Sequence, residues 1–328
     1  MNIYPAEYED IYKTYPITIV DAGASGGIMP LWKLHRQHLL IIGFEPDDRA
    51  FDDLSSQQNT LVRYFNFGLS QQSSEIPFYL TRKQQNSSCF LPNRELLDRF
   101  PNPNRFDVIE ETTLKCRSLD EFLHEENLLD VDFVKLDTQG SELNILRGAA
   151  TILEQSVFGL EIEVCFNELY QGAPLFSDID LFVRQFGFDL IDLRTVSWKR
   201  TVGANVGNSK GQLVFADALY FKQPQHIRKT ITLLEEKRAK SKLLRSLSIC
   251  LIYGFLDYAI ELLDIIGPKY FSDRELYNLG SHIKSQAPLA CRVPNFPLRS
   301  QIAVFFSKLS KWLAPRRHKK AEPYLGNF

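Results

Sequence analysis

Between Ile17 and Pro46 the chain runs strand, glycine loop, helix, strand and acid, an order suited to an open parallel α/β sheet and to few other folds. Ile17, Thr18, Ile19 and Val20 form a β-branched run that fits a buried parallel strand. Asp21 to Gly27 follows at once as a loop of nearly bare backbone. Residues around Leu31, Trp32, Leu34, His35 and His38 read as a helix, and a second apolar run, Leu39 to Phe44, stops at Glu45 and Pro46. In such a sheet, ligands sit beyond the carboxyl ends of the strands, where glycines let backbone N–H groups come close. Glu45 is then placed to accept hydrogen bonds from two vicinal ribose hydroxyls. The loop reads Asp-x-Gly-x-x-x-Gly rather than the Gly-x-Gly-x-x-Gly of dinucleotide sites. A leading aspartate suits the amino group of a cationic, amino-acid-like ligand better than a pyrophosphate, which favours S-adenosylmethionine over a nicotinamide cofactor.

Further along, Asp48 to Gln58 reads as a helix and Leu61 to Leu69 as a third strand, completing a β-α-β-α-β half-sheet. Short strands at Ile76–Leu80 and Glu110–Cys116 flank a polar stretch, Gln84 to Asn104, expected to form a lid or variable loop. Ser118 opens a capped helix. Val131 to Leu136 reads as a fourth strand ending at Asp137, followed by an amphipathic helix through Leu143, Ile145 and Leu146. Val157 to Val164 reads as a fifth strand; a helix through Ile179 and Phe186 then leads to two late strands, Phe188–Leu193 and Gln212–Phe221, joined as an antiparallel edge. From residue 225 the texture changes to helices at Ile231–Ile252, Phe255–Ile266 and Arg274–Ser285, and a basic amphipathic stretch at Leu298–Leu313. Residues 1–224 are thus predicted to form a ligand-binding domain and residues 225–328 a helical accessory region.

Charge divides the same way. The last 104 residues hold 18 Lys and Arg against 8 Asp and Glu, whereas the preceding part holds 20 against 32. An acidic body argues against nucleic acid as a partner, and the basic amphipathic end fits peripheral contact with an anionic membrane or packing on a protein. Five scattered cysteines without a Cys-x-x-Cys pair give neither a disulfide framework nor a zinc site, and the N-terminal residues lack the features of a signal peptide, so a cytoplasmic setting is expected. Nothing in the sequence bears on oligomeric state, and no oxygen-ligand motif for a metal is present.

The segment Phe133 to Ala149 (FVKLDTQGSELNILRGA) resembles the signature of the FkbM family of S-adenosylmethionine-dependent methyltransferases, and Asp21–Gly27, Gly43–Asp47 and Leu160–Glu163 occur in that family's order. The resemblance spans about Thr18 to Lys222 and implies a Rossmann-like seven-stranded class I sheet and methyl transfer, usually to a hydroxyl of a sugar, glycan or natural product. It implies that Asp21, Gly23, Ser25 and Gly27 hold the methionine end of the cofactor and that Glu45 and Pro46 lie at its ribose. Gly68 and Leu69 would lie near its adenine, and Asp137 would face the sulfonium and the acceptor together.

An alcohol is a poor nucleophile and must lose its proton during methyl transfer, which a carboxylate within hydrogen-bond reach can accept. Asp137 is the leading candidate, Glu163 the second, and Glu142 reads better as an acid at a helix N-terminus. Tyr170, Trp198 and Lys199 could wall a sugar subsite, and His124 is the one histidine worth testing as a base. The competing reading is a domain of this fold with weak cofactor binding that acts as an interaction module through its basic C-terminal region.

Overall fold

The computed structural model describes residues 3–203, 210–287, 296–313 and 319–321. After helix α1 (Glu9–Thr14), strand β1 (Ile17–Ala22) leads to α2 (Pro30–Lys33), β2 (Leu39–Phe44), α3 (Asp48–Ser55) and β3 (Val62–Phe65). Then come β4 (Gly68–Ser70), β5 (Ser74–Thr81), α4 (Arg94–Leu97), β6 (Val108–Ser118), α5 (Leu119–Glu125), β7 (Phe133–Leu136), α6 (Glu142–Arg147), α7 (Ala150–Gln155) and β8 (Gly159–Cys165). The chain continues through α8 (Phe176–Arg184), β9 (Phe188–Trp198), β10 (Gln212–Lys222), α9 (Pro224–Thr232), α10 (Glu236–Ile252), α11 (Leu256–Ile266), α12 (Asp273–Ser285), α13 (Arg299–Leu313) and β11 (Lys319–Ala321).

The main sheet has the order β11-β9-β10-β8-β7-β1-β2-β3. Strands β3, β2, β1, β7 and β8 run parallel, while β10 is antiparallel to both β8 and β9. Without β11 this is the seven-stranded, Rossmann-like class I methyltransferase sheet expected from the sequence; β11 is an eighth strand that the sequence reading lacks. The run from Leu61 to Leu69 is not one strand. Val62–Phe65 joins the main sheet, and Gly68–Ser70 crosses to a separate three-stranded sheet, β4-β6-β5, because its ladder partner is Cys116–Ser118.

Strand residues alternate between two buried clusters. Val20, Ala22, Ile42, Phe44, Val134, Leu136 and Ile162 face helices α5 to α8, while Ile17, Ile19, Leu39, Ile41 and Phe133 face the other way. On that second face the helix expected between β1 and β2 is only one turn, and Leu34 beyond it is exposed. Its place is taken by the C-terminal helices: Leu243, Leu247, Ile249, Tyr253, Leu262 and Leu263 belong to the same cluster as β1 and β2. Trp32 and Tyr253 both lie against Phe133, at ring separations of 5.2 and 5.5 Å. The single helix predicted for Ile231–Ile252 is broken between Thr232 and Glu236 into α9 and α10.

Helix α10 also carries two cations into the interior. Lys242 Nζ donates to Asp132 at 2.7 Å, to Asp130 at 2.9 Å and to the Val131 carbonyl at 2.9 Å. Arg245 donates to Asp132 at 2.7 Å, to Asp130 at 2.6 Å and to the Pro16 carbonyl at 3.2 Å. Asp132 in turn accepts from the Thr18 N–H at 2.9 Å, so one fully buried carboxylate ties α10 to the starts of β1 and β7.

Candidate active site

Three strand ends build the site. The loop after β1 is anchored to the end of β2, since the N–H groups of Gly23 and Ala24 both donate to the Phe44 carbonyl at 3.0 and 3.1 Å. On the other side Asp137 N–H donates to the Ala22 carbonyl at 3.0 Å, drawing the end of β7 against the same loop. Gly23 sits at the crossing with φ +78°, and a Cβ there would lie 2.0 Å from the Asp137 carbonyl oxygen. Only glycine fits both the left-handed backbone and the close approach. We expect Gly23→Ala to cost about 1–3 kcal/mol in backbone strain alone and to shift Asp137; a thermal unfolding temperature equal to wild type would contradict this.

The strand ends open onto a solvent-connected cleft. Its lining includes Gly23, Ser25, Glu45, Pro46, Gly68, Leu69 and Asp137, all expected from the sequence. Phe44, Phe67, Phe78, Leu114 and Ile145 add an apolar wall, and Gln84, Gln85, Ser87 and Cys89 come from the stretch expected to form a lid. The lining holds three carboxylates, Glu45, Asp47 and Asp137, and neither lysine nor arginine. Asp47 is paired with Arg49, so Glu45 and Asp137 are the carboxylates left to meet a ligand, and they suit a cation better than a pyrophosphate.

Glu45 is almost fully buried and accepts from the Asp47 N–H at 2.9 Å. Burial pushes its pKa to about 7, against the pull of that N–H.

The loop after β7 holds the densest polar cluster. Gln139 has φ +56°, in the left-handed region, and its carbonyl accepts from the Ser88 hydroxyl at 2.6 Å. Its side-chain amide donates to Asp137 at 2.9 Å and to Glu163 at 2.6 Å, and its Oε1 lies 2.8 Å from the Tyr170 hydroxyl. Such strain persists where surrounding contacts over-determine a conformation, and here they hold one amide between two carboxylates. Burial first, and then Asp137 and Glu142 nearby, push the Glu163 pKa well above the usual carboxylate range, which favours its protonated form. The sequence reading passed over Gln139; its only signal was its position two residues past the acid at a strand tip.

Several predicted residues stand elsewhere. Asp21 is outside the cleft lining: register pairs it with Lys135 on β7, whose Nζ lies 3.0 Å from its carboxylate and 3.3 Å from the Gly23 carbonyl. Although burial opposes its charge, Lys135 is held protonated by Asp21 and Asp137. Asp21 therefore meets a cation of the chain itself where a ligand ammonium was expected. Gly27 also lies off the lining, beside Gln57, Leu54 and Tyr64. Glu163 reaches the cleft only through Gln139. Glu142 folds back on its own loop, accepting from Thr138 N–H at 2.8 Å and Gly140 N–H at 3.0 Å, which is the helix-terminal role expected of it.

Residues 84–104 line the cleft at their start and pack against the body beyond it. Leu97 and Phe100 pack with Tyr170 and Trp198 in a third buried cluster, and the Arg105 guanidinium lies 4.7 Å from the Trp198 ring. Tyr170 and Trp198 are buried there and form no sugar wall. Between β9 and β10, residues 204–209 lie outside the described residues. His124 is exposed on α5 and is not part of the cleft lining.

Strand order and a cleft at the carboxyl ends of the parallel strands define a class I methyltransferase fold. Residues 28–190, about half of the chain, match the model of the Methyltransferase FkbM domain, and this part of the chain belongs to that family. It is similar to the 2-O-methyltransferase NoeI of Sinorhizobium fredii, 26% identical over 152 residues, a match spanning 42% of this chain and 59% of NoeI. Among solved structures it is similar to a methyltransferase FkbM from Methylobacillus flagellatus KT, with 15% identity and a TM-score of 0.38, over 63% of this chain and 43% of that one. It is also similar to TrmK of M. capricolum, a structure containing S-adenosylhomocysteine, with 10% identity and a TM-score of 0.31, over 86% and 97% of the two chains. The chain thus spans well under two thirds of the NoeI and M. flagellatus proteins it matches.

Proposed function

We infer that the chain is an S-adenosylmethionine-dependent O-methyltransferase acting on a hydroxyl of a sugar, glycan or secondary metabolite. The observation that carries this reading is the meeting of Glu45 and Asp137 on one cleft, across a glycine loop, with no cationic residue in the lining. The residues fit the cofactor. Glu45 would accept from the ribose hydroxyls, the apolar wall of Phe67, Leu69 and Leu114 would hold the adenine, and Gly23, Ser25 and Asp137 would border the methionine end. Bound there, the cofactor supplies a methyl group on a cationic sulfur. Asp137 would orient the acceptor hydroxyl and take its proton as the new O–C bond forms. Gln139, by donating to Asp137, fixes the carboxylate and leaves its second oxygen for the acceptor. The 2-O-methyltransferase activity named for NoeI agrees with an oxygen acceptor.

The test is calorimetric titration of the full chain with S-adenosylhomocysteine beside Glu45→Ala. Micromolar binding by wild type and at least a tenfold weaker affinity in the variant are expected, about 1.4 kcal/mol; equal affinities would remove Glu45 from the site. pH adds a second reading. A carboxyl with a pKa of about 7 is mostly protonated at pH 6 and mostly ionised at pH 8, and the ionised form is the stronger acceptor. Affinity for S-adenosylhomocysteine should therefore rise with pH across that window, and Glu45→Gln should flatten the dependence. A wild-type profile as flat as that of the variant would contradict the assignment.

A further inference from the structure

Helix α13 joins none of the three buried clusters, although it is rich in large apolar residues. Ile302, Phe305, Phe306, Leu309, Trp312 and Leu313 recur at helical spacing and occupy one stripe about 120° wide. All are exposed, Phe305 at 61% and Trp312 at 77%. Ser300 and Ser307 lie on the opposite side with Val304 beside them, and Lys308 flanks the stripe. From Leu276 to Ala321 the sequence has nine lysines and arginines and no acid, within a chain whose net charge is −2. An apolar stripe with aromatic residues, a small polar face and a flank of one positive sign is the pattern of a helix that lies in a lipid–water interface. A second copy of this chain pairing through the same stripe would bring a flank of the same positive sign against this one. An anionic bilayer satisfies both the stripe and the flank.

The tail also has an attachment point. Strand β11 pairs antiparallel with β9, Lys319 opposite Trp198 and Ala321 opposite Val196. That end of β9 lies across β10 from Cys165, at the carboxyl end of β8, which is the end of the sheet where the cleft opens. Six residue steps from Leu313 to Lys319 span at most about 20 Å, so the end of α13 stays within that reach of the cleft end of the sheet.

We propose that α13 is an interfacial helix that docks the protein on an anionic bilayer, with the cleft end of the sheet held close to the lipid surface. The docking is independent of the cofactor assignment and is read without any activity assay. Full-length protein is mixed with phosphatidylcholine vesicles with or without phosphatidylglycerol. Co-sedimentation with the anionic vesicles only, weakened by added salt, is expected. Tryptophan emission reports the location, because Trp32 and Trp198 are buried and Trp312 alone is exposed. A blue shift on vesicle addition that Trp312→Phe removes places the helix in the interface. Phe305→Asp with Leu309→Asp should lower vesicle partitioning by about tenfold or more, with an unchanged thermal unfolding temperature because neither residue is in a buried cluster. No sedimentation with anionic vesicles, or equal sedimentation of wild type and the double variant, overturns the proposal. So does a vesicle-independent wild-type dimer that the double variant converts to monomer, which would assign the stripe to a second copy.

Discussion

Asp132→Ala is expected to lower the stability of the folded chain by about 3–5 kcal/mol, one of the largest losses available to a single substitution here. The carboxylate is fully buried and receives Lys242 at 2.7 Å, Arg245 at 2.7 Å and the Thr18 N–H at 2.9 Å. Removing it leaves Lys242 1% exposed with only the half-exposed Asp130 to balance two cations, and strands a backbone donor at the start of β1. The cost arises from the uncompensated charge rather than from the intrinsic strength of the pair. Lys242→Met in the Asp132→Ala background should therefore recover part of the loss, with Arg245 still held by Asp130. Denaturant unfolding of the three proteins measures both effects. A loss below about 1 kcal/mol for Asp132→Ala, the size of an exposed pair, would mean that water reaches the cluster.

The same cluster shows where the sequence ceased to be readable. Strand order followed from local signals: the β-branched run before Asp21, the apolar run before Glu45 and the alternation from Leu160 to Val164 each specify a strand and its end. Ser118 as a helix cap is also local, and its hydroxyl accepts from the Glu121 N–H at 3.5 Å while donating to the Gly148 carbonyl at 2.9 Å. Periodicity, however, says that a helix has an apolar face and not what covers it. Nothing local marks Lys242 and Arg245 in the middle of α10 as buried, and only the fold reveals the carboxylates that make them interior residues. The one-turn α2 was equally hidden, since Leu31, Trp32 and Leu34 permit a longer helix; the helix ends at Lys33, and the C-terminal helices fill the face.

At the site the division is similar. Glu45 and Asp137 were legible because each acid directly follows an apolar strand, and the fold keeps ligand contacts at strand ends. Asp21 satisfied the same rule, but cross-strand register puts Lys135 beside it, and register is a long-range property. Glu161 completes that row on β8, where Tyr253, at the C-terminal cap of α10, donates to it at 2.7 Å. The C-terminal helices thus contribute to the polar layer beneath the cleft as well as to the core. Gln139 escaped notice because a lone glutamine carries no pattern; its role depends on the loop conformation that brings its amide between Asp137 and Glu163.

That loop yields the largest functional effect expected. Asp137→Asn should reduce methyl transfer by roughly 10²–10⁴-fold, the range for loss of a positioned general base, while affinity for S-adenosylhomocysteine changes far less. Asparagine keeps the size and the hydrogen bond to its neighbours but cannot take a proton. Glu163 cannot substitute, because burial and the nearby carboxylates favour its protonated form, and it faces the cleft only across Gln139. Glu163→Gln should accordingly retain most activity. Gln139→Ala should fall between the two, since it frees the Asp137 carboxylate without removing it. Transfer of labelled methyl groups from S-adenosylmethionine to a panel of oligosaccharides and glycolipids ranks the three variants. The order wild type, Glu163→Gln, Gln139→Ala, Asp137→Asn assigns proton transfer to Asp137. Full activity in Asp137→Asn with loss in Glu163→Gln would move the base to β8 and make Gln139 the group through which it acts.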